Sequence, residues 1–231
     1  MKRQPSNYVP VKEENAFQLS TGDLMAGLLF IFILLLMSAL LRVQEKEEQD
    51  EAVVRRYDEI KTQLYIDLQE EFKDDLVVWR AVIDSTLCVR FQEPSMLFDE
   101  GDDRLKLNFQ EILDDFFPRY IAVLNRPQYS ENIEEIRIEG HTNSNGEYFS
   151  NMRLSQDRTR AVLQYCLGLM SVTDQEWAKG LITANGLSSS HLIYRDGKED
   201  KDLSRRVEFR VRTNAEKQLE AIANKRGKQS E

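Results

Sequence analysis

Residues 138–160 read IEGHTNSNGEYFSNMRLSQDRTR, and this stretch decides the fold. It opens on the end of an alternating run, residues 133–139 (IEEIRIE), in which apolar and charged side chains change places as in a strand with one buried face. A Gly- and Asn-rich loop, GHTNSNG, follows, and then helical spacing from about Asn151 to residue 169. That order places the first turn of a helix close to the end of a strand. The first backbone N–H groups of a helix have no carbonyl partner within it and its dipole is positive there, a setting suited to a carboxylate. Arg158 lies two turns further along, where a planar guanidinium can hold a carboxylate by two parallel hydrogen bonds.

Working outward, residues 85–91 (STLCVRF) read as a strand, followed by Pro94 and an acidic turn, DEGDD. Residues 105–124 have helical spacing, with Leu107, Ile112, Leu113, Phe116 and Phe117 apolar. Residues 182–184 form a short strand before Asn185 and Gly186. Residues 206–212 (RVEFRVR) alternate again, with Val207, Phe209 and Val211 on one side. Strands and helices therefore interleave in one α/β domain, an α+β sandwich over residues 81–213 with its helices on one face. A polar tail occupies residues 214–231.

Upstream the composition breaks. Residues 24–41, LMAGLLFIFILLLMSALL, carry no charge over eighteen positions. As a helix the run spans about 27 Å, close to the ~30 Å hydrocarbon core of a bilayer. A secretory leader has a shorter apolar stretch, ~7–15 residues, and ends at a small-residue cleavage site. This run is longer, begins after a 23-residue tail and exits into Arg42, so a retained transmembrane helix is expected. Lys2, Arg3 and Lys12 keep the tail cytoplasmic, and the long segment behind the helix is carried across. In a bacterium that makes a single-pass inner-membrane protein with a periplasmic domain.

Residues 42–75 hold twelve acidic and six basic residues. Val53, Tyr57, Ile60, Leu64, Leu68, Phe72 and Leu76 form one apolar stripe at spacings of three and four. A helical linker over residues 42–80 is expected to hold two copies together through Ile60, Leu64 and Leu68; packing on its own domain is the alternative. The net charge of −9 and an isoelectric point near 5.0 exclude a general nucleic-acid binder, which needs a basic face. Cys88 and Cys166 leave a disulfide or two buried thiols open. Without a CxxC or Cys/His cluster no metal site is expected, nor a cofactor. His141 lacks a companion nucleophile and reads as a turn residue rather than a catalytic one.

Asp23 sits at the mouth of the apolar run, in LSTGDLMAGLLF. A carboxylate at that depth faces protein or water and is a functional candidate, suited to carrying a proton. Gly22, Ala26 and Gly27 let neighbouring helices come close. A solvated helix N-cap at Asp23 is the alternative.

Two resemblances join these parts. Phe17, Ser20, Asp23, Leu24 and Met25 fall in register with the ion-carrying segment of flagellar-motor stator B subunits, although the usual Tyr-Ala before the aspartate is Thr21-Gly22 here. Glu139, Gly140, His141, Thr142, Gly146, Asn151, Leu154, Ser155 and Arg158, with Arg205-Arg206-Val207-Glu208 later, resemble the signature of OmpA-like peptidoglycan-binding domains. That second resemblance implies stem-peptide binding by Asn143, Asn151, Leu154 and Arg158. In the family an aspartate at the position of Asn143 and the arginine at 158 clamp the ammonium and carboxylate of diaminopimelate. An amide accepts a hydrogen bond but supplies no counter-charge, so binding is weakened or shifted. The whole layout resembles the B subunit of an ion-driven A/B motor, in which five copies of a multi-span A subunit surround two B helices. The stretch TDQEWAKGLITANGLSSSHLIYRDGKEDKDLS looks like a helical insertion and favours the B subunits of Zorya antiphage defence over flagellar stators. A passive wall anchor is the third reading. An enzyme is not expected.

Overall fold

The computed structural model describes residues 13–92 and 94–214, with the side chains of 13–21, 50, 94 and 95 outside the description. The expectations for the rest of the cytoplasmic tail and for 215–231 lie outside the described residues. In chain order the elements are α1 (Glu13–Phe72), α2 (Asp75–Val78), β1 (Ala81–Asp84), β2 (Cys88–Phe91), α3 (Pro94–Leu97), α4 (Leu107–Leu124) and α5 (Pro127–Ser130). They continue with β3 (Ile133–His141), α6 (Tyr148–Gly168), α7 (Val172–Lys179), β4 (Ile182–Gly186), β5 (Tyr194–Arg195), β6 (Lys198–Glu199), α8 (Lys201–Ser204) and β7 (Arg206–Thr213). The chain divides into two compact units, one ending at Val53 and one starting at Val54.

In the first unit every side chain from 22 to 49 is exposed, the apolar run included. Its best eighteen-residue window has a mean hydropathy of 2.8, so the helix is long and apolar enough to cross a membrane. Asp23 lies well inside α1, which starts at Glu13, so it is not the N-cap of this helix.

The second unit is built on a five-stranded sheet in the order β1-β2-β7-β3-β4. β3 and β4 run parallel and the other neighbours antiparallel. Val207, Phe209 and Val211 of β7, with Ile136 and Ile138 of β3, are buried in the hydrophobic core. So is the apolar side of α4: Phe109, Ile112, Leu113, Phe116, Phe117 and Tyr120. Leu107, expected among these, occupies the first position of α4 and is exposed. α6 approaches the sheet where two glycines are paired across β3 and β4, Gly140 with Gly186. A Cβ on Gly140 would come within 2.6 Å of Thr159 Cγ2, and one on Gly186 within 2.4 Å of the Gln156 backbone nitrogen. The glycines are what allow the helix to lie this close.

Three expectations are corrected. The single strand over 85–91 is a hairpin: β1 and β2 are joined through 85–87, where Asp84 accepts hydrogen bonds from the Thr86 N–H and hydroxyl and Leu87 takes φ +61°. The stripe expected to join two copies is used inside the chain. Leu64, Leu68 and Phe72 are fully buried and Ile60 packs against the same core, because the end of α1 has its own domain to lie on. Polar contacts fix it there: Arg119 donates to Glu71 and Asp75 at 2.9 Å each, and Asp67 accepts from Arg126 and the Tyr129 hydroxyl. The insertion read as helical is only partly so, since β4, the β5–β6 hairpin and α8 follow α7. Cys88 and Cys166 are free and buried, which settles the open cysteine question.

Candidate functional site: a cavity at the end of β3

β3 ends at His141, and the loop 142–147 carries the chain into α6 at Tyr148. The helix thus starts three residues before Asn151, and the Asn151 N–H, expected to be free, donates to the Glu147 carbonyl at 2.9 Å. The Asn151 side chain instead ties the loop, donating to the Asn145 carbonyl at 2.8 Å and the Asn143 carbonyl at 3.4 Å. Asn143 is buried, and its Oδ1 accepts from the Asn145 N–H at 3.1 Å, a side-chain-closed turn that Gly146 at φ +85° continues. Glu199 of β6 accepts from the Ser144 N–H at 2.9 Å and from its hydroxyl, and Lys201 donates to Asn145 Oδ1 at 2.6 Å. The segment after β4 therefore clasps the loop from outside. No periodicity announces that contact, since 55 residues separate Ser144 from Glu199.

Asn143, Asn151, Leu154 and Arg158 line one cavity of about 180 Å³, with Glu100 and Arg205 on its wall. All four expected site residues are thereby brought together. Arg158 is already partly engaged. Its Nε donates to the Asp102 carbonyl at 2.8 Å and its Nη2 to the Asp99 carbonyl at 3.0 Å, while the guanidinium lies 4.8 Å from the centre of the Phe98 ring. Burial, followed by the charge of Arg205, pulls its pKa down from the ordinary arginine value. Arg158 thus braces the 97–106 loop with one edge of its guanidinium. Neither Asp157 nor Glu208 takes this arginine as a salt-bridge partner: Asp157 pairs with Arg160, and Glu208 with Arg90, Arg206 and Arg210.

Glu139, His141, Arg206 and Glu208 of the motif, with Cys88, Arg90 and Arg210, form a second, closed cluster on β2, β3 and β7. Glu208 is 1% exposed and accepts from Arg90 and Arg206 at 2.6 Å each and from Arg210 at 2.8 Å. Glu139, directly across the ladder, accepts from Arg210 at 3.1 Å. Burial pushes the Glu208 carboxyl up, but the hydrogen bonds and charges of Arg206 and Arg90 outweigh it and hold it well below the usual carboxylate range. Burial and the Glu208 charge push the Cys88 thiol up, so it stays protonated and donates to Glu208. His141 is 4% exposed with neither ring nitrogen hydrogen-bonded; burial and then the Arg206 charge lower its pKa to about 3. Glu139, His141 and Glu208 have ligand atoms within 4.8 Å of one another, yet the carboxylates are already neutralised by three guanidinium groups. A cation there would compete with those arginines, so the cluster reads as structural.

A model described as the OmpA family matches residues 97–206. The chain is 44% identical over 221 residues to Zorya protein ZorB of Escherichia coli strain Crooks, covering 91% of this chain and 93% of that protein. A Zorya protein ZorB from another Escherichia coli strain is 26% identical over 209 residues, 86% of this chain and 80% of that one. Among solved structures, a putative MotB-like protein from Desulfovibrio vulgaris is similar in fold, with a TM-score of 0.51 and 23% identity over 69% of this chain and 98% of that one.

Proposed function

The chain belongs to the ZorB family, and we propose that it is the B subunit of an ion-driven inner-membrane motor, anchored to peptidoglycan and acting in defence against phage. The family sets the flagellar stator reading aside. The N-terminus is cytoplasmic, residues 24–41 span the bilayer once, and the folded unit lies in the periplasm. Two copies sit within five copies of a multi-span A subunit. Gly22, Ala26 and Gly27 carry little or no side chain, which suits close approach of neighbouring helices. The contact between copies cannot use Leu64, Leu68 or Phe72, which are spent on the domain.

Asp23 carries the proton or ion. It is an acidic side chain at the start of an otherwise uncharged helical run, where a carboxylate is retained only for a purpose. The OmpA-like domain holds the wall through the cavity of Asn143, Asn151, Leu154 and Arg158, and that convergence is the observation that carries the anchoring role. Motor and passive anchor are separated by Asp23→Asn, which keeps the shape and removes the titrating charge. The variant should accumulate in the membrane at the parent's level and lose protection in a phage plaquing assay. Protection equal to the parent's would refute the ion-carrying role and leave an anchor.

A further inference from the structure

Residues 144–147 of the loop between β3 and α6 are exposed, so the loop has little apolar surface of its own to bury. Its shape rests on polar contacts, and these come from two sides. From inside, Asn151 holds the Asn143 and Asn145 carbonyls. From outside, the grip comes from residues 194–201, YRDGKEDK, a segment that is itself firmly built. Asp196 and Gly197 take φ +49° and +74°, the backbone of a two-residue hairpin turn that suits the twist of paired strands. The turn sets Tyr194 opposite Glu199 and Arg195 opposite Lys198. One residue on, the Asp200 side chain caps α8 by accepting from the Leu203 N–H at 3.0 Å, and its own N–H donates to the Ile193 carbonyl at 2.8 Å. Glu199 and Lys201 flank that cap, and both reach the loop. Glu199 takes the Ser144 N–H and hydroxyl, and Lys201 takes Asn145 Oδ1. The hydrogen bonds from Ser144 hold the Glu199 carboxyl below its ordinary range.

Exposed contacts of this kind add little to global stability. A loop that is already ordered, however, does not have to lose its conformational freedom when a ligand arrives. We propose that Glu199 and Lys201 are positioning residues for wall binding, which hold residues 142–147 from outside in the shape that brings Asn143 and Asn151 to the cavity. Neither residue lines the cavity, so both act through the loop. This rests on the peptidoglycan reading above and adds to it a part of the chain that no wall contact requires.

The test uses the full-length chain in detergent, with three readouts: retention on purified, untreated sacculi, hydrogen exchange of the 142–147 amides, and the denaturant midpoint. Glu199→Ala should bind sacculi about fivefold more weakly, the order of one exposed charged hydrogen bond, and exchange the Ser144 amide faster at an unchanged midpoint. Glu199→Gln keeps an acceptor for the Ser144 N–H and should recover most of the affinity. Adding Ser144→Ala to Glu199→Ala should weaken binding no further, since the two side chains act as one contact. If the parent ignores sacculi, the wall reading falls and the positioning role with it. If the parent binds and Glu199→Ala binds equally well, whatever its exchange, the positioning role alone is overturned. It is also overturned if the loss of affinity comes with a lowered midpoint and no faster exchange in the loop, which would make Glu199 a structural residue.

Discussion

Two groups of polar and charged residues, each containing members of the same sequence signature, lie near the end of β3 and behave in opposite ways. Around Glu208, three arginines meet two carboxylates in a buried cluster, and each carboxylate is answered within the chain. Around Asn143 and Arg158 the polar groups close the loop, brace its neighbours and line an open cavity. Charges that are satisfied internally hold a fold together; charges left facing a cavity await a partner from outside. A motif residue is thus assigned to stability or to binding by where its counter-charge comes from, and both kinds lie within a few residues of each other here.

The sharpest way to break this distinction is Glu208→Gln. It leaves Arg90, Arg206 and Arg210 without their shared carboxylate, and removing one side of a buried ion cluster costs roughly 3–5 kcal/mol. Denaturant unfolding should show that loss, while wall binding per folded molecule stays at the parent's level. Weaker wall binding by a fully folded variant would merge the two groups into one site.

His141 tests the closed cluster through pH. Its folded pKa of about 3 lies below the ordinary histidine value near 6.5, so the folded protein keeps the ring neutral where the unfolded chain protonates it. Stability is therefore full above about pH 6.5 and falls as pH drops from there toward the folded value, with a slope of at most ~1.4 kcal/mol per pH unit from this group. His141→Gln should flatten unfolding free energy between about pH 6 and 4.5, above the range where most carboxylates titrate. An unchanged slope would mean that the ring is solvated in the folded state.

The smallest effect belongs to the open cavity. Asn143→Asp adds a negative charge beside Asn151 and Arg158 and should tighten binding to untreated sacculi by roughly tenfold, about 1.4 kcal/mol, with little change in unfolding free energy. Equal affinity would mean that the side chain at 143 does not face the bound ammonium.

Much of this arrangement was legible beforehand. The alternation in β3 and β7 and the apolar spacing of α4 depend on which face is buried, which local pattern states directly. The signature likewise brought Asn143, Asn151, Leu154 and Arg158 to one cavity. The hairpin at 85–87 was not legible, because its reversal relies on Asp84 capping Thr86 and on a leucine at positive φ, which residue type does not announce. The different fates of Arg205 and Arg206 were not legible for another reason. The Arg205-Arg206 pair looks uniform in sequence, yet Arg206 enters the buried cluster while Arg205, one position before the strand, turns to the cavity.

The sequence by itself determined the membrane-length helix, the acid at its mouth, the α/β domain and its family, since each is written in local composition, period or motif. Only the tertiary structure decided the partners of α1 and of the charges. The stripe at Leu64, Leu68 and Phe72 satisfies the same periodicity whether it meets a second copy or its own domain, and only the packed core shows that the domain takes it. A glutamate or arginine likewise carries the same charge in either group, and whether it is neutralised depends on residues brought near by folding, as Ser144 and Glu199 are. Pattern fixes which surfaces need burying; three-dimensional proximity fixes what buries them.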